Sequence, residues 1–195
     1  MKKIIITTLL LGVLIFNANA QVTVSGAAGI TDGTSYTSLK LAFDAINAQA
    51  QTASNNILIA ISGNTTETAT AALNAGGWNS LTIYPTADNY TISGAVQLIN
   101  FNGADNVTID GRVNRSGSAR SLTLSNSGNY NTINFTSVAQ NNTIKYCNVF
   151  GSQTTSTRGI FAFGETGSDN NANGLNTIDN NLISNLEPPP DVFYY

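Results

Sequence analysis

Asn106-Val107-Thr108-Ile109-Asp110-Gly111 is the stretch whose reading decides the fold. Val107 and Ile109 are β-branched, stiff at χ1, and project to one side of an extended backbone, while Thr108 points to the other. Asp110-Gly111 then supplies a turn. The pattern of Asn, Thr and Ile returns at 131–134, 142–145 and 176–179. A strand this short cannot bury its apolar side alone, so successive copies must stack into one continuous core. The expected fold class is all-β, a parallel β-helix (solenoid).

Working outward, Asn56 to Gly63 is an almost unbroken apolar run of strand length, as in a buried parallel strand. Leu81–Tyr84 follows 24 residues later and Val107–Ile109 a further 26, with Tyr90–Ser93 and Val96–Phe101 between them. These spacings predict coils of about 25 residues, each with three strands and three turns. Leu122–Leu124, Ile133–Phe135, Ile144 to Phe150 and Ile178 to Ile183 continue the winding. Arg112–Arg120 and Ser152–Gly174 carry no strand signal and read as loops. Near the start, Val22 and Val24 suggest one edge strand. Leu39, Ala42, Phe43 and Ile46 then fall at helical spacing behind Thr37 or Ser38 as N-cap, which predicts a helix over 37–50. Such a helix would cap the first coil. Asn106, Asn142 and Asn176, one ahead of each Thr-Ile pair, are expected to pass amide hydrogen bonds from coil to coil as a ladder.

The domain plan is a signal peptide over 1–20, an N-terminal cap with its helix over 21–56, coils over 57–186 and a Pro-rich tail over 187–195. Met1-Lys2-Lys3 followed by the apolar run to Phe16 and the small-residue site Ala18-Asn19-Ala20 is the pattern of a secretory signal, and the run is too short to span a membrane. Removing Lys2 and Lys3 leaves six basic and eleven acidic residues, a net charge of −5, which argues against nucleic acid as partner. Charged residues make up only 10% of the chain, so its polar surface must come from Asn, Thr, Ser and Gly. Cys147 is the single cysteine, so no internal disulfide can form, and its apolar neighbours mark it as a small core residue. There is no histidine. Most zinc sites and Ser-His-Asp chemistry are thereby removed.

Tyr36–Asn47, Ile61–Thr70 and Asn100–Gly111 together resemble the opening of large secreted proteins of Bacteroidetes, which are similar to the right-handed parallel β-helix superfamily of the pectate lyases. The resemblance covers roughly residues 1 to 186. It implies a right-handed helix, an extracellular or cell-surface location, an adhesin-like role, and a C-terminal sorting domain of the type IX secretion kind. This chain departs from that pattern after Leu186, where Pro188-Pro189-Pro190 stops the winding without covering a coil end. A truncated piece of a longer protein is the expectation.

Lyases of this superfamily hold calcium with clustered acids and take a proton with Lys or Arg. Here Asp88, Asp105, Asp110, Glu165, Asp169 and Asp179 are thinly spread, whereas calcium asks for about six to eight oxygens. Glycoside hydrolysis asks for two carboxylates about 5 to 10 Å apart. Three residues are named as candidate ligand contacts: Trp78 in its Gly-rich loop, Asp110, and Arg112, otherwise a solvated side chain at a loop entrance. No cofactor or metal is assigned. The preferred function is a non-catalytic, adhesin-like surface segment that binds polysaccharide or cell-surface glycans. The alternative is the N-terminal part of a calcium-dependent polysaccharide lyase or a glycoside hydrolase.

Overall fold

A computed structural model describes residues 20–152, 159–164 and 173–186. The signal-peptide reading, apart from Ala20, and the Pro-rich tail lie outside the described residues, as do Glu165, Asp169 and Arg158.

The chain opens with β1 (Val22–Ser25) and β2 (Thr34–Tyr36), followed by the helix α1 (Leu39–Asn47). Among the described residues fourteen strands come next: β3 (Asn56–Ile61), β4 (Thr65–Glu67), β5 (Ala71–Asn74), β6 (Ser80–Pro85), β7 (Tyr90–Gly94) and β8 (Ile99–Asn102). The series continues with β9 (Val107–Asp110), β10 (Leu122–Asn126), β11 (Ile133–Thr136) and β12 (Thr143–Lys145). Then follow β13 (Cys147–Gly151), β14 (Phe161–Phe163), β15 (Thr177–Asp179) and β16 (Leu182–Asn185).

From β6 onward every strand pairs in parallel with the strand three places before it. The molecule is therefore mostly β, built of three stacked parallel sheets in an arrangement compatible with a β-helix. Sheet A holds β3, β6, β9, β12 and β15, sheet B holds β4, β7, β10, β13 and β16, and sheet C holds β5, β8, β11 and β14. At the far edge of sheet A, β1 joins β3 antiparallel and β2 joins β1. Val22 and Val24 thus lie inside a sheet, and the polar Thr34–Tyr36 forms the edge.

Register follows the period of two. Ile59, Ile83, Ile109, Ile144 and Ile178 make one inward column, and Leu73, Phe101, Phe135 and Phe163 another. The Phe135 and Phe163 rings stack with centroids 4.8 Å apart. A single buried cluster joins the three sheets to α1 through Leu39, Ala42, Phe43 and Ile46. The helix begins at Ser38, whose hydroxyl accepts from the Leu41 amide, and packs against β1, β2, β4 and β5. The buried Glu67 on β4 takes the first two amides of the helix, accepting from Leu39 and Lys40 at 2.9 Å each. A carboxylate at a helix start is favoured by the dipole and the unpaired N–H groups.

The expected run Ile144 to Phe150 is two strands, because Tyr146 takes φ 53 and turns the chain from sheet A into sheet B. Asn180 at φ 53 does the same between β15 and β16. The loop expected over 152–174 contains β14. Asn131-Thr132-Ile133-Asn134 belongs to sheet C, whereas the copies at 106–109, 142–145 and 176–179 belong to sheet A, with Thr108, Thr143 and Thr177 in register. Only three of the four repeats are structurally equivalent.

The amide ladder also takes another form. The buried Asn142 accepts from the Val107 amide at 2.9 Å and donates to the Ala104 carbonyl at 2.9 Å. Asn176 and Asn181 repeat this, accepting from the amides of Asn142 and Cys147 and donating to the carbonyls of Ala139 and Ile144. These side chains rivet one level of stacked strands to the main chain of the level before. Asn106 is exposed at φ 58 and serves as a turn residue.

Candidate functional site

Asp110 closes β9 at the corner between sheets A and B. Its side chain is almost wholly buried, and Arg112 clasps it with Nε to Oδ1 at 2.8 Å and Nη2 to Oδ2 at 2.7 Å. Lys145, its partner in the next strand, lies 3.5 Å from Oδ2. Burial pushes the Asp110 carboxyl upward, but the hydrogen bonds from the Arg112 side chain and main chain, with the charges of Lys145 and Arg112, outweigh it and hold the group below its ordinary value. Asp110 in turn raises the Arg112 guanidinium. That guanidinium sits 4.6 Å from the centre of the Tyr146 ring and also donates to the Gly117 carbonyl.

Gly111 follows directly. A side chain there would strike the Tyr146 carbonyl, so glycine is needed for the close approach of the two coils. The loop that leaves at Gly111 returns at Ser121, whose amide donates to the Gly111 carbonyl at 2.7 Å. Within the loop a 3-10 turn over Val113–Arg115 lies against β6, and Arg115 stacks over Tyr84 at 4.9 Å.

Of the three residues named from sequence, Asp110 and Arg112 are joined and Trp78 is apart from them. Trp78 is buried at the opposite end of β9, with Nε1 donating to the Asp105 carbonyl at 2.8 Å. Its ring fills the space a side chain at Gly76 would need. The Gly-rich loop lets the ring in against the body of the protein. Arg112 is likewise no free solvated side chain, because its fork is spent on a buried carboxylate.

Sequence reasoning missed Lys145 and Tyr146. The signal was present in the repeat: Asp110, Lys145 and Asp179 each follow a Thr-Ile pair, and aligning the copies puts them side by side. Three other described acids serve local structure. Asp88 accepts from the Ser121 hydroxyl at 2.6 Å, Asp105 from the Gln140 amide at 2.6 Å and Asp179 from Asn180 at 2.8 Å. Among the described residues no three His, Cys, Asp or Glu come together. Cys147 is fully buried, and burial with the nearby Asp110 charge pushes its thiol far up, so it remains protonated.

The outward columns are in register and carry polar runs, interrupted by Leu58 in sheet A, Phe150 and Leu182 in sheet B, and Ala72 and Ala162 in sheet C. Sheet A carries Thr82, Thr108, Thr143 and Thr177; sheet B carries Thr66, Ser93 and Ser125 beside Thr91 and Thr123; sheet C carries Asn74, Asn102 and Thr136 beside Asn100 and Asn134. Among the described residues no helix is long and apolar enough to cross a membrane. No family model, no curated protein and no solved structure matches the chain.

Proposed function

We propose that this chain is a non-catalytic segment of a secreted or cell-surface protein, a right-handed parallel β-helix whose first coil is capped by α1, and that it binds glycans in an adhesin-like role. The observation that carries the reading is the set of outward Thr, Ser and Asn columns, repeated in register across three sheets. Strands stacked at about 4.8 Å turn such columns into regular rows of hydroxyl and amide groups, the chemistry that pairs with sugar hydroxyls. Among the described residues the lyase reading would draw on Asp110 with Arg112 and Lys145. Both Asp110 oxygens are already held by Arg112, which supports a structural role for that corner.

The test is retention of residues 21–195 on immobilised polysaccharides, with β-glucan, xylan, mannan and polygalacturonate as the panel. Retention on at least one, without release of shortened products, is expected. A chain that passes through every column, or that cleaves one of the polymers, overturns the reading.

A further inference from the structure

The excursion from Gly111 to Ser121 lies wholly within the described residues, and it holds three of the chain's four arginines, Arg112, Arg115 and Arg120. Asn114 to Arg120 are all exposed and belong to no strand, and Ser116-Gly117-Ser118-Ala119 is a run of small residues. Exposed loops of this composition are where folded chains are nicked.

The three arginines are not equally placed. An endopeptidase takes its substrate as an extended segment in a cleft, so it cuts where the neighbouring residues can leave the fold at little cost. Arg112 is tied to Asp110 through its main-chain amide and through both arms of its fork. Arg120 donates from Nε to the Asn180 carbonyl at 2.8 Å. The next residue, Ser121, is paired through its amide with Gly111 and through its carbonyl with Tyr90. Among the described residues Arg115 is held by less: the 3-10 turn, with its amide on the Arg112 carbonyl and that of Ser116 on Val113, and the face of the Tyr84 ring. Asn114 and Arg115 are both left-handed, at φ 48 and 63, which an arginine adopts only with strain. Opening the turn relieves that strain and leads into Gly117, at φ 83, where a side chain would meet open space. The described lysines are built into elements: Lys40 lies in α1, paired with Asp44, and Lys145 lies in β12 between β9 and β15.

We propose that the Arg115–Ser116 bond is a processing site for an arginine-directed endopeptidase, and that the cut leaves the stack standing. Water adds across the amide: the C–N bond breaks, the Arg115 carbonyl carbon takes the oxygen to become a carboxylate, and the Ser116 nitrogen becomes an ammonium group. The two pieces stay together because every sheet crosses the cut. Strands β7, β8 and β9 precede it, and their partners β10, β11 and β12 follow it. Ile92 meets Leu124, Ile109 meets Ile144, and Phe101 meets Phe135 with ring centroids 5.3 Å apart, all six buried. Separation would expose that apolar surface to water. The inference goes beyond the glycan-binding reading and does not rest on it.

The experiment is limited digestion of residues 21–195 with trypsin, read by intact mass and by sequencing of the new N-terminus. The first cut is expected to give a chain that begins at Ser116. Both pieces should co-elute in gel filtration at the volume of the uncut chain and melt within a few degrees of it. Arg115→Gln should slow cutting of the loop about tenfold, whereas Arg120→Gln should be cut like the parent. Arg115→Lys, which trypsin accepts, should restore the cut, and this separates loss of the bond from a change of fold. A first cut after any other residue, Arg158 included, overturns the site, as does equal cutting of Arg115→Gln. Pieces that part without denaturant overturn the second half of the proposal.

Discussion

The two ends of the stack are made of the same residues and live in different surroundings. Ile59, Ile83, Ile109 and Ile144 are fully buried, yet Ile178, next in the same column, is 37% exposed. Phe101 and Phe135 are fully buried while Phe163 is 49% exposed, and Ile92, Leu124 and Val149 are buried while Ile183 is 46% exposed. At the other end Ile57, Ile59 and Leu73 have a parallel strand partner on one side only and are still buried: β1 pairs with β3, and α1 packs against β5. Burial here is a property of the contact between coils, not of the strand. Stability in such a stack is close to a sum of neighbour terms, so the same substitution has a different cost at each level.

The largest expected effect is Ile109→Asp, which places a carboxylate between Ile83 and Ile144. Burial of an unpaired charge exceeds the whole margin of about 5 to 15 kcal/mol when no relaxation is possible, and loss of the cooperative far-UV transition is expected. A variant that melted within a few degrees of the parent would mean that this column does not face inward. Next comes a matched pair. Leu73→Ala beneath α1 should cost about 2 to 5 kcal/mol and Ile183→Ala at the open end about 1 or less, read from urea midpoints. Equal costs would erase the difference between the ends.

A smaller effect should be independent of level. Arg112→Ala leaves the buried Asp110 with Lys145 as its remaining cation and should lower the urea midpoint measurably, where a solvated side chain would leave it unchanged. The smallest is a change of slope. A carboxyl lowered in the folded state stabilises the protein above its unfolded value of about 3.9, and this contribution disappears as pH falls through the lower folded value. Unfolding midpoints should therefore drop below about pH 4, and Asp110→Asn should flatten that drop. An unchanged acid limb would remove Asp110 from the balance.

Much of the architecture was legible because β-branched residues at period two state which face is inward. What escaped was set by single backbone corners and by neighbours distant in sequence. Tyr146 carries no mark of a left-handed turn, so one apolar run looked like one strand rather than two. β4 and β14 are three residues long and owe their pairing to strands 27 to 28 residues away, such as Thr65 with Ile92 and Phe161 with Ile133. The surroundings of Trp78 and Arg112 were not legible for the same reason: exposure belongs to what folds over a residue, and their partners, the Asp105 carbonyl and the Asp110 carboxylate, meet them only in three dimensions.

The Gly111–Ser121 closure has a further consequence. The loop's two ends are hydrogen-bonded to each other, and Gly111 is held independently by the Lys145 carbonyl of the next coil. The stack therefore registers the chain before and after the excursion without reading its contents. This corner is a socket: segments of other lengths and compositions could be exchanged there, provided the Asp110 clasp is kept or replaced by a neutral residue, and the coils would carry them as cargo.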